Sequence, residues 1–271
     1  MSRNGVCFEM RFPGHLFCRT MNHRHHAPET DRPPRLSPTR RNALWYTLQV
    51  IAQPLFAAWF RLRARGLDRI PAEGGALLLI NHQSFLDPLL VGAPLSRPVS
   101  YLARDSLFRI PVIGWLLRRT YVIPINRESA GTGSIRAAVE RLQQGFLVGV
   151  FPEGTRSHDG RLGPLKPGFV ALIRRAQVPV VPVGIAGTGA AMPRHAWFVR
   201  PRTCRVVYGP PLAPEEIEAY FRLGREDELV ALVRERMLRC CAEADAWRRG
   251  DEGGWREEDG GRKMDGQHAK E

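Results

Sequence analysis

Residues 76–87 have the sequence ALLLINHQSFLD, in which five apolar residues give way to a polar segment that contains His82 and Asp87. A short, uninterrupted apolar run that ends in polar residues is typical of a buried strand. Residues 145–151, GFLVGVF, follow the same pattern and end just before Glu153. The two runs therefore predict two buried strands, each followed directly by titratable side chains.

A third apolar run, residues 121–125 with the sequence YVIPI, leads into Arg127. Pro124 has no amide hydrogen, so it predicts that this strand lies at a sheet edge or contains a bulge. Open α/β sheets bind their ligands at the carboxyl ends of the strands. We therefore expect His82, Arg127 and Arg156 to converge on one crevice.

The remaining sequence alternates between strand and helix patterns, as an α/β sheet requires. A chain of 271 residues, 44% of them hydrophobic, builds one sizeable core more readily than two. The predicted fold class is α/β, a single domain with a mixed, largely parallel central sheet flanked by helices. The further elements predicted are strands at residues 99–103, 180–185 and 205–208 and helices at 132–144, 167–176 and 214–247, the last broken near Gly224.

His82 and Asp87 suit proton transfer from a hydroxyl group, because an imidazole can accept the proton as the new bond forms. In a continuous helix, residues five positions apart point to different faces, so the two side chains meet only if the backbone turns between them. Pro88 supplies a reason for such a turn and also fits the first helical position after an Asp cap. Asp87 is therefore placed to orient His82, to cap a helix, or to do both.

The second polar segment, residues 151–157, has the sequence FPEGTRS. A guanidinium can donate two parallel hydrogen bonds to a phosphate, which suits Arg156 and also Arg127, although a surface ion pair is the alternative for each. Gly154 permits close backbone approach, and amides freed there are available to a phosphate or an oxyanion. Lys166 precedes a predicted helix, where it either adds charge to the site or is a solvated surface lysine.

In these segments the chain resembles the 1-acylglycerol-3-phosphate acyltransferases of the glycerolipid acyltransferase superfamily. The resemblance covers about residues 65–210. Residues 81–87 match the family's block of a histidine, four residues and an aspartate, and residues 151–157 match its block of an acid, a glycine and an arginine. Weaker matches are residues 122–127 and 178–184.

The resemblance implies a glycerol-3-phosphate acyltransferase-like fold and a direct transfer of a fatty acyl group. The donor would be acyl-CoA or acyl-carrier protein, and the acceptor would be the free hydroxyl of 1-acyl-glycerol-3-phosphate, which gives phosphatidic acid. It implies no metal, no organic cofactor and no covalent acyl-enzyme, with His82 as general base and Asp87 orienting it. The residues that would bind the acceptor are Arg127, Glu153, Gly154, Thr155, Arg156 and Lys166.

Other functions stay open on the sequence alone. Within the superfamily, the acceptor is alternatively glycerol 3-phosphate or another lysophospholipid. A metal-dependent phosphoesterase would use His82, Asp87 and Glu153 as metal ligands. A catalytically silent lipid-binding module would need none of the three.

The chain carries 40 Lys and Arg residues against 27 Asp and Glu residues, a net charge of +13. Such an excess favours an anionic membrane surface or nucleic acid. The sequence shows no zinc-finger spacing, RNA-binding aromatic signature or basic zipper, so we expect a membrane surface and no nucleic acid. The five cysteines show no metal spacing and predict reduced, packed thiols.

Residues 1–42 are rich in arginine and proline and predict a disordered basic tail. Met21 is an alternative start of translation, which would shorten this tail. Residues 249–271 contain glycines and mixed charges and predict a second disordered tail.

Residues 43–60 contain no charge, carry apolar residues at helical spacing and have arginines on both sides. These features favour an amphipathic helix in the headgroup region of a membrane over one that spans it, and the alternative is a helix packed on the domain. Residues 110–117 form a second apolar stretch, in which Trp115 would anchor at the interface. We therefore expect an interface helix at residues 43–64 and an acyltransferase domain at 65–248, at the cytoplasmic face of a membrane.

Overall fold

The computed structural model describes residues 43–125 and 132–250. The predicted tail at residues 1–42, the second predicted tail beyond residue 250, and Arg127 lie outside the described residues. The strands are β1 (Arg63–Arg65), β2 (Ala76–Ile80), β3 (Val99–Arg104), β4 (Ile123–Ile125), β5 (Leu147–Val150), β6 (Val180–Ala186) and β7 (Arg205–Tyr208). The helices are α1 (Ala43–Trp59), α2 (Asp87–Gly92), α3 (Asp105–Phe108), α4 (Pro111–Arg119), α5 (Thr132–Gln143), α6 (Gly168–Ala176), α7 (Thr188–Ala191), α8 (Pro214–Arg222) and α9 (Glu226–Arg249).

The strands of the described residues form one sheet in the order β1-β7-β6-β2-β5-β3-β4. Neighbouring strands are parallel except for the antiparallel pair β6 and β7. This topology confirms the predicted mixed, largely parallel sheet, and β4 with its Pro124 is an edge strand, as the proline predicted. Because β2 and β5 are adjacent and parallel, the polar segments that follow them leave the sheet side by side.

The central strand β2 is buried along its whole length, because both faces of the sheet are covered. Leu78 and Ile80 pack into one apolar cluster, and Leu77 and Leu79 pack into another on the opposite face. Full burial of each such side chain contributes about 1.5–3 kcal/mol. The segment that carries His82 therefore starts from a firmly held strand.

The long helix α9 lies directly against β6 at Gly184. A Cβ atom at this position would lie 2.2 Å from the carbonyl carbon of Cys240, which belongs to the α9 backbone. No side chain fits in that space. This contact explains a glycine within a strand that is otherwise rich in β-branched residues.

Helix α1 is shorter than the sequence predicted, since it ends at Trp59. Arg63–Arg65 form β1, which pairs in parallel with β7. The prediction of a helix through residue 64 was wrong, because these residues gain sheet hydrogen bonds at the edge of β7 that a helix extension would forgo.

Helix α1 packs on the domain through a narrow strip. Gln49 is 4% exposed and donates from Nε2 to the carbonyls of Ala93 and Leu95, at 2.7 and 2.8 Å. One face of α1 therefore packs on the domain, as the alternative to a membrane helix predicted. The other face is apolar and open, with exposed side chains at Val50, Ile51, Leu55 and Trp59.

Most of the second apolar stretch of the sequence, residues 110–117, forms helix α4. Val112 is 77% exposed and Trp115 is 47% exposed, with the guanidinium of Arg119 lying 4.5 Å above the Trp115 ring. Among the described helices, none has the length and the apolar character needed to cross a bilayer.

Candidate active site

His82 lies in the loop after β2, and Asp87 is the first residue of α2. The Nδ1 atom of His82 and the Oδ2 atom of Asp87 are 2.9 Å apart. The backbone turns between them, as the five-residue spacing required, and Oδ2 also accepts hydrogen bonds from the amides of Gln83 and Ser84, each at 2.7 Å. The Asp87 side chain is completely buried. One carboxylate oxygen thus fixes both the loop and the imidazole.

Asp87 does not cap helix α2. Leu86 occupies the N-cap position without a side-chain cap hydrogen bond, and Pro88 stands at the start of the helix. The carboxylate turns back onto the preceding loop because two amides and an imidazole are presented there. Of the two roles left open by the sequence, the helix cap is wrong and the contact with His82 is present.

Thr188 supplies the other hydrogen bond to Asp87, and sequence reasoning missed it. Its Oγ1 donates to Asp87 Oδ1 at 2.5 Å, and Thr188 is completely buried. Thr188 is the first residue of α7 and follows Gly187, whose φ of 96° permits the sharp exit from β6. The available signal was a hydroxyl residue just after β6. The sequence does not show that β6 lies next to β2, and only the order of the strands reveals it.

The imidazole of His82 is held by a carboxylate at its edge and by an aromatic ring stacked on its face. The ring centroids of His82 and Phe151 are 4.1 Å apart, with an interplanar angle of 25°. The His82 side chain keeps 17% exposure. With Nδ1 bound to the carboxylate, a neutral imidazole has its lone pair at Nε2, so Nε2 is the atom that can accept a proton.

Glu153 holds the histidine loop from the other side. Its Oε1 accepts from the amide of His82 and its Oε2 accepts from the amide of Gly163, both at 2.8 Å. Burial raises the pKa of this carboxyl, while the two backbone hydrogen bonds lower it in part. Both oxygens thus accept from backbone amides, and one of these is the amide of His82.

The turn after β5 brings Gly154, Thr155 and Lys166 together. Gly154 has a φ of 68°, and a Cβ atom there would lie 2.9 Å from the Lys166 Nζ atom. The amide of Gly154 donates to the carbonyl of Phe151 at 2.9 Å, so this amide is not available to a substrate, contrary to the expectation of a freed group. Thr155 and Lys166 are both exposed on the turn.

Arg156 is half-buried beside the same loop. Its guanidinium carbon lies 3.8 Å above the ring of Phe85, and its Nη1 donates to the carbonyl of Arg194 at 3.4 Å. Burial lowers the pKa of Arg156, and the positive charge of Arg194 lowers it further. The structure therefore brings Arg156 to the segment of His82, whereas Arg127 lies outside the described residues.

Asn81 ties the histidine loop to the sheet, and the sequence did not single it out. It is 1% exposed, accepts from the amide of Ile185 at 2.7 Å and donates to the carbonyl of Ile185 at 3.0 Å. The amide of Ser157 also donates to the carbonyl of His82 at 2.7 Å. Two segments that are distant in sequence, β6 and the turn after β5, therefore hold one short loop.

The chain is similar to known proteins over the part that contains His82, Asp87 and Arg156. Residues 61–186 match the family model described as Acyltransferase. A 1-acyl-sn-glycerol-3-phosphate acyltransferase of Bacillus subtilis is 31% identical over 167 residues, which cover 61% of this chain and 79% of that protein. This chain belongs to the 1-acyl-sn-glycerol-3-phosphate acyltransferase family.

A solved structure and a plant relative extend the comparison within the acyltransferase family. The crystal structure of the 1-acyl-sn-glycerophosphate acyltransferase from Thermotoga maritima superposes with a TM-score of 0.63 and 27% identity, covering 74% of this chain and 79% of that one. A chloroplastic 1-acyl-sn-glycerol-3-phosphate acyltransferase of Brassica napus is 36% identical over half of this chain. The chain spans 40% of the length of that plant relative.

The same contacts bear on the phosphoesterase alternative. Its proposed ligands include the carboxylates of Asp87 and Glu153, whose oxygens are bonded to backbone amides, to His82 and to Thr188. These carboxylates are therefore turned onto the protein and not toward a shared open point. Among the described residues, no group of three or more His, Cys, Asp or Glu side chains is arranged to hold a metal ion.

Proposed function

We propose that this protein transfers a fatty acyl group from a thioester to the free hydroxyl of 1-acyl-glycerol-3-phosphate and so makes phosphatidic acid. The observation that carries this proposal is the 2.9 Å contact between His82 Nδ1 and the buried Asp87 carboxylate. This contact leaves Nε2 as the proton acceptor of a partly exposed imidazole. The names of the relatives support the same acceptor.

In the proposed reaction, His82 Nε2 takes the proton of the acceptor hydroxyl while the hydroxyl oxygen attacks the thioester carbon. The buried carboxylate of Asp87 stabilises the imidazolium that forms, as an orienting acid does in a hydrolase triad. The tetrahedral intermediate then breaks its carbon–sulfur bond. The thiolate leaves and receives the proton from His82, so the base is regenerated and no acyl-enzyme forms.

Arg156 is the proposed ligand of the acceptor phosphate. In 1-acyl-glycerol-3-phosphate the free hydroxyl and the phosphate are on neighbouring carbons, so the phosphate has to lie close to His82. Arg156 suits that requirement, because its guanidinium lies over the ring of Phe85, which is three residues after His82. Arg127, which follows β4 in the sequence by two residues, is proposed as a second guanidinium, while Gly154, Thr155 and Lys166 are proposed to form the exposed rim of the site.

The proposed reaction uses no metal or organic cofactor, because cleavage of the thioester supplies the driving force. The donor is acyl-CoA or acyl-carrier protein as a co-substrate. We also propose that the enzyme works as a peripheral protein at the cytoplasmic face of an anionic membrane. The apolar face of α1 and the exposed side chains of α4 support this location, together with the net charge of +13.

A thiol-release assay tests the proposed function. Purified protein is mixed with acyl-CoA and a panel of acceptors that includes 1-acyl-glycerol-3-phosphate, glycerol 3-phosphate and other lysophospholipids, and the products are identified by mass. We expect thiol release and phosphatidic acid with 1-acyl-glycerol-3-phosphate, and no turnover by a folded His82→Ala variant. Near-normal turnover by His82→Ala would contradict the general-base role, and preference for another acceptor would change the assigned substrate.

A further inference from the structure

A cavity of about 540 Å³ opens beside the catalytic loop, within the segment that follows α7. Trp197 is 96% exposed and Phe198 is 60% exposed at its mouth. Among the described residues that line the cavity, none carries a carboxylate. The side chains that matter for a ligand are His158, Arg194, His195, Trp197, Phe198 and Arg200.

The wall of the cavity is joined to the active-site loop by hydrogen bonds. Ser84 donates from Oγ to the carbonyl of Met192 at 3.0 Å, and Arg156 donates to the carbonyl of Arg194 at 3.4 Å. The amide of Arg200 donates to the carbonyl of Ala191 at 2.8 Å and closes the segment into a loop. The cavity is therefore a neighbour of the reaction centre, although neither His82 nor Arg156 lines it.

Positive charge is concentrated along this wall. Arg194 donates from Nη1 to Nε2 of His158 at 2.8 Å, which leaves its other guanidinium hydrogens for a ligand. Arg200 lies 5.0 Å from the ring of Phe198. Guanidinium groups without a neighbouring carboxylate attract phosphates, and an exposed indole offers a face on which a nucleobase can stack.

The two substrates of the proposed reaction carry their phosphates at very different distances from the reacting atom. The acceptor phosphate is next to the attacked hydroxyl and belongs near His82 and Arg156. In acyl-CoA, the pantetheine arm separates the thioester from the phosphates and the adenine. A cationic and aromatic cavity beyond Arg156 therefore suits the donor, not the acceptor.

We propose that this cavity binds the phosphorylated adenosine end of an acyl-CoA donor, with Arg194 and Arg200 on the phosphates and Trp197 stacked on the adenine. This inference rests on the proposed acyl transfer and names its donor. The chemistry of the cavity favours a nucleotide over the surface of an acidic carrier protein, because the nearly free indole and a concave pocket match a flat base.

The test compares Arg194→Ala and Trp197→Ala with Arg222→Ala, an exposed arginine that pairs with Glu218 on α8. Arg194→Ala keeps the backbone carbonyl that Arg156 contacts, and it removes the side chain that donates to His158 together with one positive charge near Arg156. We expect both cavity variants to raise the KM for acyl-CoA by about tenfold, as loss of one hydrogen bond to a charged group or of one stacking contact would. The KM for the matching S-acyl-pantetheine and the KM for 1-acyl-glycerol-3-phosphate should stay unchanged.

Equilibrium binding of free coenzyme A and of pantetheine separates this inference from the proposed function, because it needs no turnover. Wild-type protein should bind coenzyme A more tightly than pantetheine, and the cavity variants should lose that difference. Equal affinity for the two ligands would overturn the inference even if acyl transfer is observed. Conversely, Arg194-dependent binding of coenzyme A without any thiol release would refute the proposed reaction and leave the nucleotide site standing.

Three other results would overturn the inference. A rise in the KM for the lysolipid alone would assign the cavity to the acceptor headgroup. A rise in the KM for acyl-carrier protein without one for acyl-CoA would assign it to a carrier protein. Loss of vesicle binding by Trp197→Ala, with an unchanged KM for acyl-CoA, would make the loop a membrane contact.

Discussion

Asp87 accepts four hydrogen bonds with two oxygens, and each donor comes from the loop it orders or from the start of α7. A buried carboxylate is stable as an anion only when such donors replace the lost water. At the scale of single residues, the orientation of His82 therefore depends on groups that never touch a substrate. Thr188 is the one among them whose side chain can be changed without altering the loop sequence.

Thr188→Val removes the hydroxyl that donates to Asp87 Oδ1 and keeps the shape of the side chain. We expect kcat to fall by about tenfold with little change in the KM for either substrate, because the loss of one hydrogen bond to a buried charge acts through His82. Steady-state kinetics measure the effect. Thr188→Ser keeps the donor and should restore most of the activity, while equal losses in the two variants would show that the methyl group matters and not the hydroxyl.

Arg156→Ala removes the proposed ligand of the acceptor phosphate. The KM for 1-acyl-glycerol-3-phosphate should rise by about tenfold or more, and kcat should also fall if the contact tightens in the transition state. Arg156→Lys should recover only part of the loss, because an ammonium cannot donate two parallel hydrogen bonds. Unchanged kinetics in Arg156→Ala would remove this residue from the site.

At the scale of elements, the apolar runs were sufficient to predict most of the sheet. The strands at residues 76–80 and 180–186 follow from buried apolar runs, and the helices at 132–143 and 168–176 follow from the helix patterns predicted there, which are local signals. β1 has three residues with two arginines and could not be predicted, since only its pairing with β7 makes it a strand. Thr188 and Asn81 were missed for the same reason: their partners become neighbours only through the order of the strands.

Gly184→Ala tests the contact between β6 and α9. The added methyl group would meet the backbone of Cys240 at 2.2 Å, so either the helix or the strand has to move. We expect the free energy of unfolding to fall by about 1–3 kcal/mol, the usual cost of overpacking, and a lower Tm in thermal denaturation. Gly133→Ala, in α5 with open space around its Cα, is the matched control and should be neutral or slightly stabilising.

At the scale of the whole molecule, two of the three described cysteines belong to the packed interior. Cys204 and Cys240 are buried, and desolvation raises the pKa of Cys204 to about 12 and that of Cys240 higher still. The folded protein should therefore resist alkylation of both thiols at neutral pH and react only after unfolding, as mass spectrometry of labelled peptides would show. Rapid labelling of native protein at Cys240 would contradict the packing of α9 on β6.

The raised pKa values of these thiols predict that the stability of the protein falls as the pH rises. A thiol whose pKa is raised by folding adds to the free energy of unfolding. This stabilisation is complete below the thiol's pKa in the unfolded chain, about 8.5, and it is lost as the pH rises toward the pKa in the folded protein. The buried thiols should therefore lower the Tm progressively above about pH 8.5. A Cys204→Ser variant, which has no thiol to ionise there, should show a shallower decline.

The surface of α1 and α4 gives a further expectation for the whole molecule. Ile51→Glu places a charge on the exposed apolar face of α1, where Ile51 is 62% exposed. We expect a smaller fraction of the protein to sediment with anionic vesicles, with Arg222→Ala, which also lowers the net charge by one, as the control for the change in charge. Equal sedimentation of Ile51→Glu and the wild-type protein would place the membrane contact elsewhere.

The paired hydrogen bonds between Asn81 and Ile185 join the segment of His82 to the middle of the sheet. A loop bound to β6 by these hydrogen bonds cannot unfold by itself while the strands remain paired. In a urea titration, the turnover rate and the circular-dichroism signal of the folded protein should consequently be lost in the same cooperative transition, so that activity measures the folded fraction.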